Sequence, residues 1–391
     1  MQSQQFRKIA FRGILSMKIK KTSSGNKFEF PAPMFFLVKM INDIPGFANT
    51  LHLLESSWMQ NRTKKQDIIS PVYVTGLARS GTTVVLEMLD QHRDLASHRY
   101  LHMVVPYAPH WFQKIADNVP IMTSPSERLH QDGLLVNKNS PEAVEEIFWQ
   151  RFFNNALDES QSNLMDASIS NPQFEAFYKA NIKKLLQSRK AERYLAKNNY
   201  NVTRFEYILH LFPDAKFVVM IRNPFDQIAS LAKQDAIFKE MEKHDPHLLE
   251  VTKLIGHREF GTAKVCINTD NYEKIQMIRN KWNNRETYVE GWALYWSSIY
   301  EYVYKILQRN PTVKKAALVV RYEDLCDSPS EIIDRIISHT NIDPEGFKKV
   351  KQHYCSTLHR PTYYKTSYSK SEQDHIINAT GEIASKFGYD L

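Results

Sequence analysis

An α/β fold on a parallel sheet is predicted by three features of the chain. Three apolar, strand-like runs, Val72 to Thr75, Lys216 to Ile221 and Ala317 to Val320, are each followed by a loop and a helix-periodic stretch. Such alternation calls for crossovers that return every strand in the same direction, so ligands gather at the carboxyl ends of the strands. The first run opens into a glycine-bounded loop, Gly76-Leu-Ala-Arg-Ser-Gly-Thr-Thr83, with helical sequence behind it. The composition, 42% hydrophobic over 391 residues, supplies enough core for one large domain or two smaller ones.

Taken in order, the first 28 residues carry Arg7, Lys8, Arg12, Lys18, Lys20, Lys21 and Lys27 without an acid, interleaved with apolar residues. This suits a basic amphipathic helix on anionic lipid or an acidic partner, or a solvated chain end. Phe35 to Met59 has helical periodicity. Residues 1–65 are therefore expected to form a basic helical extension, and 66–391 the main domain. Between the first and second strands lies a long, mostly helical insertion bearing Tyr107, Trp111, Phe112, Trp149 and Phe152. An insertion beside an anion site is where an acceptor would sit. The stretch from Lys239 to Asn284 carries many charges and little periodicity.

The net charge of +8 favours anionic ligands but lacks the dense basic tracts of a dedicated nucleic-acid binder. Three cysteines without a pairing pattern give neither a disulfide framework nor a thiolate metal site, which fits a reducing, cytoplasmic setting. No apolar run approaches the roughly 18 residues needed to cross a bilayer, and no signal peptide is read.

The loop at Gly76 to Thr83 follows the phosphate-cradling pattern G-x-x-x-x-G-K-[ST] except that Thr82 stands in the lysine position and Arg79 supplies the cation. Glycines let backbone amides approach phosphate oxygens, the helix start adds unpaired N–H groups, and arginine can clamp two oxygens at once. A second anion site is expected at Arg222, where a strand ends and Asn223 and Pro224 open a helix. Spacing alone does not single out Ser230.

Together these segments resemble the sulfotransferases. Ala78-Arg79-Ser80-Gly81-Thr82-Thr83 is similar to their 5′-phosphosulfate loop, and Arg222-Asn-Pro-x-Asp-x-x-x-Ser230 to their 3′-phosphate motif. Lys197 is similar to the lysine that tyrosylprotein and related enzymes set against the transferring sulfuryl group, and Arg321-Tyr322-Glu323-Asp324-Leu325 resembles the family's turn near the nucleotide. The resemblance implies 3′-phosphoadenosine 5′-phosphosulfate as donor, a P-loop-kinase-like fold and no metal. It departs from the cytosolic small-molecule enzymes in placing Arg79 where they carry lysine and in lacking their Arg-Lys-Gly-x-x-Gly loop; His359 to Lys370 is the candidate segment to close over the adenine. Arg79 and Lys197 would neutralise charge on the transferring group.

A base must still take the proton of the acceptor hydroxyl. His98, in the expected strand and exit loop from Asp94 to His102, is the first choice, with Arg99, His102, Asp132 and Glu145 expected to contact the acceptor. Glu145 belongs to Ser140-Pro-Glu-Ala-Val-Glu-Glu146, read as a capped helix start with Glu142 and Glu146 on its outer face. The acceptor is expected to be a saccharide or glycolipid rather than a peptide tyrosine, since aromatic side chains in the insertion suit sugar stacking, though they equally suit a core. Two rivals stand beside this reading: a P-loop kinase or NTPase, and a non-catalytic protein holding an anionic polymer or membrane through its basic terminus.

Overall fold

The computed structural model describes residues 18–22, 25–29, 32–118, 125–127, 130, 134–360 and 367–391. Nine strands occur among them. Five form the central sheet, in the order β4-β7-β3-β8-β9: β3 is Val72–Thr75, β4 Leu95–Ala96, β7 Arg193–Lys197, β8 Lys216–Ile221 and β9 Ala317–Arg321. Every pairing in this sheet is parallel. The three strands expected from sequence form its middle and one edge. β7, hidden in the long insertion, and the two-residue β4 complete the other side.

Chain order places β4 and β7 on one side of β3 and β8 and β9 on the other. The order therefore reverses at β3, and the loops leaving β3, β7 and β8 meet in one crevice. Alternate residues of each strand enter two cores. Tyr73, Tyr194, Phe217 and Val219 join the larger core. Val72, Val74, Leu195, Val218 and Met220 join the smaller one, under helices Thr82–Leu89, Pro329–Thr340 and Pro344–Thr357. Burial on both faces explains why these strands read as continuous apolar runs.

The expected helical extension over 1–65 is corrected in its first part. β1, Lys18–Thr22, and β2, Gly25–Glu29, pair as antiparallel strands. Helices Ala32–Asp43 and Phe47–Thr63 follow. They are not detached from the rest: Phe35, Val38, Ile41 and Ala48 enter the larger core, and Glu55 pairs at 3.0 Å with Lys184 in the buried face of helix Pro172–Arg189. In the insertion, β5, Ser126–Glu127, pairs with β6, Leu135–Val136. The charged stretch after Lys239 is largely helical, in Pro224–His244, Pro246–Leu254 and Tyr272–Asn283.

Candidate active site

The carboxyl ends of β3, β7, β8 and β9 open into a cavity of about 410 Å³. Its floor is the loop after β3. Gly76 has φ +141° and Gly81 φ +97°, both in the region that favours glycine. A Cβ on Gly76 would run into the carbonyl of Met220, and one on Gly81 into the ring of Tyr322. These close approaches leave no side chain between the loop and its supports, so the glycines are fixed by packing as well as by conformation.

The loop is held from behind. Gln227 donates to the carbonyls of Leu77 at 3.1 Å and Ala78 at 2.9 Å, and accepts from Trp296 Nε1 at 2.9 Å. Nothing in the sequence marked Gln227 for this role; it lies on the helix after Arg222, at a distance only the fold closes. Arg79 adopts φ +69°, uncommon outside glycine, and its Nε donates to Ser230 Oγ at 2.9 Å. The two resemblance motifs are therefore hydrogen-bonded to each other.

Ala78, Arg79, Gly81, Thr82, Thr83, Lys197, Arg222 and Tyr322 all line the cavity. Ser80 is buried beneath the loop and does not, and Ser230 reaches the site only through Arg79. The Arg222 guanidinium lies 5.1 Å from the centre of the Tyr322 ring, close enough for a cation–π contact. Glu323, next in that turn, accepts from the backbone N–H of Asn223 at 2.9 Å and from Tyr389 at 2.7 Å. Thr357, Leu358 and His359 close another edge, whereas residues 361–366 of the proposed closing segment lie outside the described residues.

On the opposite side the sequence expectations need correction. His98 and His102 are buried and absent from the cavity lining. β4 ends at Ala96 and a 3-10 turn over Tyr100–Met103 follows where the strand was expected; His98 lies just before the turn and His102 within it, both rings in the core. Their Nδ1 atoms lie 3.2 Å apart, and His102 Nδ1 also accepts from the Arg99 N–H, so His98 is the donor of the pair. Arg99 is tied to Asp90 in a buried ion pair. Glu145 is enclosed by Tyr178, Tyr194 and Asn201, and burial raises its pKa. Asp132 lies outside the described residues.

The misreading of Glu145 has a local cause. Pro141 does not open a helix; it bridges to Arg99, and the Glu142 N–H donates to the His98 carbonyl at 3.0 Å. The helix begins only at Glu146. Residues 142–145 therefore run non-helically, which places Glu142 at the cavity and Glu145 in the core. Of the insertion aromatics expected to stack on sugar, Tyr107, Phe112 and Trp149 are buried in the core and Trp111 and Phe152 are half-buried against it; none of the five lines the cavity.

Burial holds His98 down at about pKa 3 and His102 well below its ordinary value. Both are neutral in the fold and gain a proton on unfolding below about pH 6.5, the ordinary value. Stability is therefore full above that pH and falls as pH drops toward 3. His98→Leu should flatten the dependence of the denaturation midpoint on pH between about 6.5 and 4; an unchanged slope would show that His98 does not carry it.

The cavity instead collects Tyr100, His130, Glu142, His257 and Glu259 on its acceptor side. Asn199, just past β7, joins this side to the cradle: Thr82 Oγ1 donates to its Oδ1 at 3.4 Å, and its Nδ2 donates to Glu259 Oε1 at 2.9 Å. Glu259 Oε2 stands 3.5 Å from His257 Nδ1. His257 and Glu259 sit in the irregular segment after helix Pro246–Leu254, where no periodicity marks them. Among the described residues, no group of three or more His, Cys, Asp or Glu converges as metal ligands.

Comparison with known proteins agrees with this geometry. Residues 71–259 match the model of a sulfotransferase family. No curated protein sequence matches the chain. Among solved structures, the sulfotransferase STF9 from Mycobacterium avium superposes with a TM-score of 0.51 at 14% identity, covering 100% of this chain and 97% of that one. The sulfotransferase STF1 from Mycobacterium tuberculosis does so with 0.53 at 14% identity, covering 90% and 84%. At that identity the two structures speak for the fold.

Proposed function

Over residues 71–259 the chain belongs to the sulfotransferase family, and from that premise we propose that this enzyme moves a sulfuryl group from 3′-phosphoadenosine 5′-phosphosulfate to a hydroxyl. The observation that carries the donor assignment is the hydrogen bond from Arg79 to Ser230, which joins a 5′-side loop to a 3′-side motif across one cavity. The residues fit such a donor. The close-packed glycines leave room for oxygens against backbone amides, and Arg222 with Tyr322 supplies a cation and a ring at a second subsite.

The donor contributes the sulfuryl group and a phosphate leaving group. In the transfer the acceptor oxygen forms a bond to sulfur as the bond from sulfur to the phosphate oxygen breaks. Arg79 and Lys197 hold positive charge where negative charge builds on the transferring and leaving oxygens. Thr82 and Thr83 offer hydroxyls and helix-start N–H groups to the same region. The acceptor proton passes to His257, with the Glu259 carboxylate beside it to steady the charged ring. Residues 66–391 make up the transferase unit in this reading, with helix Ala32–Asp43 adding Val38 to the cavity wall.

A cytoplasmic setting is part of the proposal, supported by cysteines that are all free. No helix among the described residues is long and apolar enough to cross a membrane. The kinase rival is disfavoured by Thr82 in the lysine position.

Titration calorimetry tests the donor assignment. Adenosine 3′,5′-bisphosphate should bind without added metal, and Arg222→Ala should weaken it by about tenfold or more, the loss of one charge-assisted contact of roughly 1.5–3 kcal/mol. Tight binding of magnesium-ATP alone would overturn the assignment and favour the kinase reading.

A further inference from the structure

We infer that the acceptor is an alcohol carried on an apolar body, a long-chain or polycyclic lipid alcohol, and not a free saccharide. This rests on the sulfotransfer reading above and concerns only what enters the acceptor side of the cavity. The apolar part of the lining is built from Val38, Val104, Phe238, Leu248, Val251 and Ile255, drawn from four separate parts of the chain. Such a wall suits the removal of hydrocarbon from water.

Three polar groups of the lining, Glu146, His130 and Thr252, are already engaged within the protein. Glu146 accepts from Asn198 at 2.8 Å and from both terminal nitrogens of Arg204 at 2.7 and 2.9 Å. The His130 ring bonds Gln234 at 3.0 Å and packs among Phe238, His257 and Phe260, with ring centres 5.3–5.9 Å apart. Thr252 turns its hydroxyl back to the Leu249 carbonyl at 3.0 Å. A saccharide carries a hydroxyl on nearly every ring carbon, and those turned to this wall would be desolvated against hydrocarbon. An alcohol with one hydroxyl meets no such penalty. His257 and Glu259, linked to the cradle through Asn199, give that hydroxyl its place.

The helix that contributes Val38 is apolar on its outer side as well. Phe36, Met40 and Ile44, spaced four residues apart at its end and along its length, are exposed at 66%, 39% and 47%. An amphiphile thus finds hydrocarbon surface on both sides of that wall.

The test is transfer of labelled sulfate by the full chain from 3′-phosphoadenosine 5′-phosphosulfate to a panel of straight-chain alcohols, a sterol, and free mono- and disaccharides. The expected result is a kcat/KM that rises about fourfold for each added methylene over a short series, with free saccharides at background. Val251→Asn should raise the KM for the longer alcohols by about tenfold and leave calorimetric binding of adenosine 3′,5′-bisphosphate unchanged. Saccharides sulfated faster than the alcohols, or rates independent of chain length, would overturn the inference. Absence of transfer to any alcohol while the bisphosphate still binds would overturn it too, and would leave the donor assignment standing. Failure of the bisphosphate to bind would instead remove the sulfotransfer reading and this inference with it.

Discussion

Arg79→Ala lowers kcat by about 10²- to 10³-fold while the thermal midpoint stays near that of the parent chain. The side chain lines the cavity, so little core packing goes with it. What goes is a guanidinium already placed: the left-handed backbone at φ +69° and the hydrogen bond to Ser230 fix it before donor arrives. A charge placed in advance needs no reorganisation as the sulfur–oxygen bond breaks, which is why its removal falls on the rate more than on binding. Alanine also removes the steric difficulty of an arginine side chain only in part, because any Cβ disfavours this φ. Steady-state rates at saturating donor, set beside calorimetric affinity for adenosine 3′,5′-bisphosphate, separate the two effects. Near-parental turnover would take Arg79 out of the chemistry. His257→Ala should fall less steeply, by about 10²-fold, and regain part of the loss as pH rises and solvent base replaces it.

The parts legible in the sequence were those that local pattern specifies. β3 and β8 announce themselves because residues buried on both faces make continuous apolar runs, and the edge strand β9, only half-buried, does so through Leu318, Val319 and Val320. The loop from Gly76 and Arg222 at a strand end could be found because a strand delivers its last residue to the site without help from elsewhere, whereas Lys197, at the end of the unexpected β7, was found only through the family resemblance. The acceptor side is different. Its candidates come from segments that only tertiary contacts arrange, and the same residue types fit more than one local structure. Pro141 suits the first turn of a helix and also the extended bridge it makes with Arg99. His98 and His102 look like a base beside an anion site, yet the chain turns into the core there, through His98 and the 3-10 turn over Tyr100–Met103. His257 and Glu259 lie in a segment with no periodicity to read, and Asn199 connects them to Thr82 only because β7 adjoins β3. Gln227 was invisible for the same reason: holding two carbonyls of a loop far away in sequence leaves no mark on its own helix.

Glu146→Ala destabilises the fold by about 3–5 kcal/mol, the largest effect on stability expected from a single change at the cavity wall. The loss does not measure the worth of an ion pair, which can be near zero against an apolar replacement. It comes from what is left behind. The Arg204 side chain is 1% exposed, gives both terminal nitrogens to Glu146, and lies with its guanidinium 4.4 Å from the centre of the Trp149 ring. Without Glu146 that guanidinium keeps only the Asn201 Oδ1 at 3.4 Å as a hydrogen-bond acceptor, and Asn198 loses an acceptor beside Lys197. Urea denaturation should show the full loss for Glu146→Ala, and a smaller one for Glu146→Gln, which keeps an acceptor oxygen. Glu146→Leu combined with Arg204→Met should recover most of the stability, because neither member then leaves the other buried and charged. A loss below about 1 kcal/mol for the alanine variant would mean that water reaches Arg204 and screens it as at a surface. The double variant also separates scaffold from chemistry at a position that borders the cavity. If Glu146 acts only by holding Arg204 and Asn198, donor-product affinity returns with the fold, whereas a carboxylate needed for proton transfer would leave the refolded double variant inactive.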